Sequence, residues 1–245
     1  MFSSLDRKAR KEVRKLVFEK LDKRLIIEGS LEALTPLHIG SGRAELGEEA
    51  IDLPVLRDPN DVPYVPGSSL KGKVRAEAER IAKSLGYDVC TPPKVEDMCG
   101  SKVRSEEDLC IVCKIFGTAG KYISRASKVR FRDAYPEGEV KTLTRVGIAM
   151  DRERGSVSPG ALYTVEGVPK GTRFRFEVVA ENLTEEELKL FKAALKSVAD
   201  SWLGGQTSRG FGKVRLVIDR VRVRTAKYYM GLEEETVISG EEFWR

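Results

Sequence analysis

Histidine is almost missing from this sequence: His38 is the only one in 245 residues. Acid–base catalysis that needs several positioned imidazoles has nothing to draw on, and a lone histidine is more often a packing residue than a catalyst. Cysteine is absent outside residues 90–113. No stretch approaches the roughly 18 apolar residues of a membrane span, and the N-terminus lacks the apolar core of a signal peptide. The expectation is a cytoplasmic protein with no membrane partner, in a compartment where disulfides are uncommon. Methionine is scarce while Lys, Arg and Glu are abundant, a balance that fits a heat-adapted organism. Disorder is excluded by a 41% hydrophobic content, and the length allows one large domain or two small ones. The net charge is +5, but 33% of residues are charged, so the surface is mixed in sign and nucleic-acid binding is allowed without being required.

What the chain has instead is glycine at a few chosen places. Gly204, Gly205, Gly210 and Gly212 punctuate a segment that also carries Thr207, Ser208, Arg209 and Lys213. Two readings stand: a helix C-cap with Gly204 in the left-handed conformation, or a turn whose N–H groups and side chains hold phosphate oxygens. A second Gly/Ser/Lys segment, Pro66 to Lys73, also sits at a helix boundary and favours the phosphate reading. Two such loops suit an extended polyanion better than a single nucleotide.

Residues 4–23 read as a basic amphipathic helix within an N-terminal appendage, 1–23. Residues 24–35 alternate as a strand with Leu25, Ile27, Leu31 and Ala33 in one phase, one face packed and one wet. A Gly/Ser turn with His38 follows, then Glu45, Glu48, Glu49 and Asp52. A helix is expected over 69–85, with Leu70, Val74, Ile81 and Leu85 as its stripe. The strand at 127–132 sets Lys128, Arg130 and Arg132 on one face; sheet faces normally mix signs, so a surface turned toward polyphosphate is favoured over a solvated one. Turn residues and alternation over 136–169 give a long hairpin with its tip at 151–156. From Lys121 to Arg175 there are 12 Lys and Arg against 6 Asp and Glu, which concentrates the basic surplus here. After a strand at 172–180, Thr184 and Glu187 form a capping box for a helix with Leu188, Phe191, Leu195, Val198 and Trp202 as its stripe. The strand from Val214 changes phase at Asp219-Arg220, the mark of a bulge. The tail, 225–245, is expected to pack only in part. The order of elements is that of a ferredoxin-like α+β fold with long insertions.

Cys90, Cys99, Cys110 and Cys113 fall in a segment of weak periodicity, 86–120, and the last two form a CxxC. That spacing lets two thiolates reach one tetrahedral ion, and a structural zinc is favoured over disulfides or buried thiols. Four thiolates leave no open position for catalysis.

The turn Leu37-His38-Ile39-Gly40-Ser41-Gly42, the segment Val55 to Asp58, the loop Val65 to Gly72 and the glycine loop occur in an order that resembles the RAMP superfamily of CRISPR proteins. The match looks closest to the repeated backbone subunit of type III effector complexes and covers residues 24–224. Residues 148–153 and 160–163 also look like that family's thumb hairpin. The resemblance implies a ferredoxin-like (RRM-like) palm at 24–224, a lid insertion at 86–120 and a thumb at 136–169. It implies antiviral defence by a subunit that multimerises along guide RNA, beside copies of itself and other RAMP subunits, and presents the guide for target-RNA pairing. RNA contacts are then expected from His38, Ser41, Arg43, Ser68, Ser69, Lys71, Lys73 and Arg75. Arg130, Arg132, Arg152, Arg154, Thr207, Ser208, Arg209 and Lys213 complete the set. Members that cut target RNA typically carry an aspartate just after the His-Ile-Gly turn, where this chain has Arg43. Binding without cleavage is therefore expected. The alternative is an endoribonuclease using Mg²⁺ or Mn²⁺ through Glu45, Glu48 or Asp52.

Overall fold

The alternating run that follows Lys23 becomes the strand around which the rest is laid. The computed structural model describes residues 20–42 and 51–245, the side chains of 158–161 excepted. Most of the expected N-terminal helix, together with Arg43, Glu45, Glu48 and Glu49, lies outside the described residues; residues 20–23 are not helical. In chain order the elements are β1 (Arg24–Ala33), α1 (Gly67–Ser84), α2 (Cys99–Lys102), α3 (Ile111–Phe116), β2 (Val129–Phe131) and β3 (Tyr135–Pro136). Then come β4 (Leu143–Asp151), β5 (Ser156–Gly167), β6 (Arg173–Glu181), α4 (Glu185–Asp200), β7 (Val214–Arg224), α5 (Ala226–Tyr229), β8 (Thr236–Ser239) and α6 (Gly240–Trp244).

The chain is mixed α+β. Its main sheet runs β2-β6-β1-β7-β8 with each neighbouring pair antiparallel, and β4 and β5 form a separate two-stranded hairpin. Leu25, Ile27, Leu31 and Ala33 bury one side of β1 against Val74, Ala78, Leu190, Phe191, Leu195 and Val198. These come from α1 and α4, both on that side of the sheet. The bulge in β7 sits where the alternation changes phase: Glu28 faces Arg220 and Gly29 faces Ile218, leaving Asp219 as the extra residue.

α4 starts where its capping box is written. The Thr184 hydroxyl accepts from the Glu187 N–H at 3.2 Å, and the Glu187 carboxylate accepts from the Thr184 N–H at 2.9 Å. The helix stops at Asp200, so Trp202 is half exposed and Leu203 is the residue that buries. On α1, Leu85 is likewise exposed, and the apolar stripe continues through Ala78 and Ala82.

The other side of β1 is not a wet face. Ile26 and Ser30 are buried, and an ion-pair lattice covers the strand. Arg24 and Arg130 hold Glu181, Arg220 and Arg222 hold Glu28, Arg132 holds Glu177, and Arg215 holds Glu32. Burial alone would raise the Glu28 and Glu181 carboxyls, yet their arginine partners outweigh it and keep both below the ordinary range. The tail packs further than its charge suggests. β8 adds a strand beside β7, and Gly240 and Phe243 bury against the core because Gly240 lies so close to Ile218 that a Cβ would strike its carbonyl.

Pairing of Glu32 with Arg173, Ala33 with Val214 and Tyr135 with Arg175 places the ends of β1 and β3 and the starts of β6 and β7 at one end of the sheet. The 34–42 turn, the start of α1, the base of the hairpin and the glycine loop therefore all leave from that end. The cysteine insertion joins the opposite end of α1 to β2.

Candidate nucleic-acid interface

The glycine loop is docked on the turn after β1. Gly205 N–H donates to the His38 carbonyl at 2.9 Å, Gly212 N–H to the Pro36 carbonyl at 2.9 Å, and Lys213 N–H to the Thr35 hydroxyl at 3.0 Å. Gly204 has φ +78°, and a Cβ there would lie 2.2 Å from the His38 carbonyl oxygen. The left-handed Gly204 is found, but the helix is capped at Ser201 rather than there; Gly204 and Gly212 serve the close approach of two backbone segments, while Gly210 faces open space. Ser208, Arg209 and Lys213 are left exposed and Thr207 half exposed. Arg209 lies over the Tyr163 ring at 5.2 Å and Arg145 over the Phe211 ring at 4.8 Å, which joins the loop to the inner face of the β4–β5 hairpin.

Beneath this surface is a buried carboxylate that sequence reasoning did not single out. Glu166, 4% exposed, accepts from the Val55 N–H at 2.9 Å and from the side chains of Arg57 and Thr142. Burial works to raise its pKa, and the hydrogen bonds from Thr142, Val55 and Arg57 overcome that and depress it. The Glu166 carbonyl takes the His38 ring at 2.7 Å; a carbonyl only accepts, so Nδ1 of His38 carries the hydrogen. The sole signal in the sequence was an acid in an otherwise basic stretch.

His38 is therefore buried scaffold. Asp52, exposed, exchanges hydrogen bonds with Thr164: one carboxylate oxygen accepts from its N–H at 2.7 Å and its hydroxyl at 2.9 Å. The Thr164 backbone bond, then its hydroxyl, lowers the Asp52 pKa, and the residue pins the 51–55 segment to β5. Ser41 N–H donates to Pro54 on the same segment at 3.2 Å.

At the start of α1, Ser68 is exposed and Ser69 and Lys71 are half buried, and Ser68 and Lys71 border a shallow groove with Ser127 and Arg130. Burial, then the neighbouring Arg75, pulls the Lys71 ammonium below its ordinary value. One turn on, the helix faces inward. Lys73 pairs with buried Glu77 at 2.8 Å and covers Trp202, and Arg75 pairs with Glu79 at 2.9 Å. Arg130 and Arg132 belong to the ion-pair lattice, and Lys128, buried, donates to Glu187 at 2.6 Å. Of the three basic positions around β2, Lys128 is buried on Glu187, while Arg130 and Arg132 pair with acids of β6 and keep about half or more of their side chains exposed. Arg152 and Arg154 stand exposed at the hairpin tip, Arg154 within 3.8 Å of Asp151.

The hairpin's outer face carries Val146, Ile148, Met150, Val157 and Leu162, all about half exposed or more. Register pairs Ile148 with Leu162 and Met150 with Val157 on that face.

Among the described residues, the four cysteine sulfurs lie within 4.8 Å of one another, and none is in a disulfide. A tetrahedral ion about 2.3 Å from each sulfur sets edges of about 3.8 Å, so the set fits zinc. Cys110 caps α3, accepting from the Cys113 N–H at 3.4 Å; Cys90 and Cys113 sulfurs are 3.4 Å apart. Hydrogen bonding from Cys113 draws Cys110 down to about 4, and burial pushes Cys99 up to about 11. A metal would have to displace the remaining protons.

The family model of the RAMP superfamily matches residues 30–215. A protein of Methanocaldococcus jannaschii named CRISPR system Cms endoribonuclease Csm3 is 35% identical over 228 residues, spanning 89% of this chain and 88% of its own. A protein of the same name from Methanothermobacter thermautotrophicus is 27% identical, covering 91% of this chain and 96% of its own length. Among solved structures, the Csm3-Csm4 subcomplex in the type III-A CRISPR-Cas interference complex aligns with a TM-score of 0.56 and 29% identity, over 91% of this chain and 94% of that one. Methanopyrus kandleri Csm3 aligns with a TM-score of 0.56 and 25% identity, over 86% and 80%.

Proposed function

This chain belongs to the RAMP superfamily, and from that premise we propose that it is a guide-RNA-binding backbone subunit of a type III CRISPR effector complex. It acts in the cytoplasm, multimerising along the guide beside other RAMP subunits and presenting the guide to target RNA. One observation carries this reading: Thr207, Ser208, Arg209 and Lys213 are held at the surface by glycines that lock their loop to the 34–42 turn, at the end of the sheet where α1 and the hairpin also begin. Side-chain donors on a fixed backbone suit phosphates of any sequence. Arg145, Tyr163, Ser68, Ser69 and Lys71 extend the surface, with Arg152 and Arg154 reaching from the tip.

The order β2-β6-β1-β7, with α1 and α4 crossing on one side, supports a ferredoxin-like palm. Residues 86–120 are the lid, stapled by zinc on Cys90, Cys99, Cys110 and Cys113. The hairpin is the thumb, whose apolar outer face suits a neighbouring subunit. Zinc close to one equivalent per chain, lost with Cys110→Ser together with protease resistance of 86–120, is the expected result; under half an equivalent in carefully prepared protein overturns the assignment.

The relatives' names favour a second reading, an endoribonuclease in the complex. Arg43 argues for binding without cutting, since a guanidinium cannot ligate the divalent ion that a carboxylate would hold and instead grips phosphate. A complex with this chain as its only backbone subunit should bind complementary RNA in Mg²⁺ or Mn²⁺ and leave it whole, and Arg43→Asp should introduce metal-dependent cuts. Regular cutting by the unaltered chain, abolished by Glu45→Ala, Glu48→Ala or Asp52→Ala, would promote the enzyme.

A further inference from the structure

Four thiolates around a divalent zinc carry a net charge of about −2, which a partly buried site must offset with nearby donors or cations. Among the described residues, Arg75 is the one charged side chain that hydrogen-bonds a cysteine sulfur. Its Nη2 is 3.9 Å from Cys113 Sγ. The same guanidinium is fixed on its other edges, with Nη1 donating to the Gly117 carbonyl at 3.2 Å and Nε to Glu79 at 2.9 Å. Its side chain is 22% exposed, so little solvent screens it. Gly117 closes α3, the helix that carries the CxxC, and its φ of +83° brings it against the 125–127 backbone, where a Cβ would lie 2.7 Å from the Arg125 carbonyl. One arginine thus touches a sulfur, the end of the cysteine helix and its own helix α1.

We propose that Arg75 is the positioning residue of the cysteine centre, supplying the cation that offsets its negative charge and tying it to α1, rather than a contact for RNA. This rests on the zinc reading above. The planar fork suits the task, because one group donates to sulfur and carbonyl at once while Glu79 sets its angle. Glu79 is also a brake: it shares the positive charge that the thiolates would otherwise hold alone.

The test is zinc affinity of the full chain, by competition with a chromophoric chelator, together with the thiolate-to-metal charge-transfer bands of the Co²⁺-substituted protein. Arg75→Gln should weaken zinc about 10-fold or more, the range for losing a group that supports a metal ligand. Arg75→Lys, which keeps the charge, should restore part of that affinity, and Glu79→Gln should leave it unchanged or raise it. The Co²⁺ bands of Arg75→Gln should shift relative to the parent, which a purely packing role would not produce. Lys73→Gln, altered on the Trp202 side of the same helix, controls for general loosening of α1 and should leave affinity within twofold. Should Arg75→Gln fail to fold, the Arg75→Lys and Glu79→Gln pair decides, since the charge account requires Arg75→Lys to bind zinc no better than the parent and Glu79→Gln no worse. Stoichiometric zinc in the parent with unchanged affinity and spectrum in Arg75→Gln overturns the proposal and leaves the zinc assignment standing. A parent that binds no zinc overturns both.

Discussion

Glu166 shows how much one residue can organise when its carboxylate is bound in the charged form. Its carboxylate holds the 53–57 segment through Val55 and Arg57 and the hairpin base through Thr142, while its carbonyl fixes the His38 ring. Glu166→Gln keeps the shape and loses the charge, and should lower stability by about 2 kcal/mol, the scale of hydrogen bonds to an ionised group. The sign of its pH dependence follows from its depressed pKa. The contribution is complete above the ordinary carboxylate value, near 4.3, and disappears as pH falls through the lower folded value. Glu77, Glu28 and Glu181 are depressed in the same direction, so urea midpoints should fall on acidification below about pH 4. In Glu166→Gln that fall should be shallower. An equally steep acid limb in the variant would show that the charge of Glu166 is not what the site depends on.

At the scale of elements, legibility followed the kind of signal each segment carries. The capping box at Thr184, the bulge at Asp219 and the hairpin over 143–167 were open to reading because each is written in a few neighbouring residues. What lay hidden depended on partners distant in sequence. The basic run around β2 looked free because Glu177, Glu181 and Glu187 come from β6 and α4, and the tail looked loose because Gly240 only makes sense beside Ile218. The glycine loop was half legible: composition marked it as special, but only the fold assigned Gly204 and Gly212 to backbone packing. Gly204→Ala tests that division. A positive φ and a 2.2 Å approach to the His38 carbonyl should together cost about 2 kcal/mol or more. RNA affinity should drop with it as the loop lifts from the turn. Gly210→Ser, in open space, adds no clash and keeps only the strain of φ +85°. Equal urea midpoints for Gly204→Ala and the parent would mean that the two segments are not locked.

Across the whole molecule, basic side chains already matched by an acid draw a polyanion less than those facing solvent without one. RNA affinity should fall with salt by a log–log slope of about 0.7 for each phosphate neutralised. Changing Lys71 and Arg209 together to Gln should flatten that slope and weaken all sequences alike. Changing Arg130 and Arg132 together should leave the slope in place and instead lower the melting temperature, since Glu177 and Glu181 would lose partners. A reversal of these two outcomes, read by filter binding and thermal melts, would move the interface to the sheet face. The strand order also sets a timetable for biosynthesis. Among the described strands β1 is the first made, while its neighbours β6 and β7, and β8 beyond them, are the last three. A nascent chain therefore carries an unpaired apolar strand through most of its translation. Premature termination anywhere before Val214 leaves one edge of β1 open and the loop of Thr207 to Lys213 without its strand. Chains cut short before Val214 should consequently meet chaperones and proteases before that loop can be set in place.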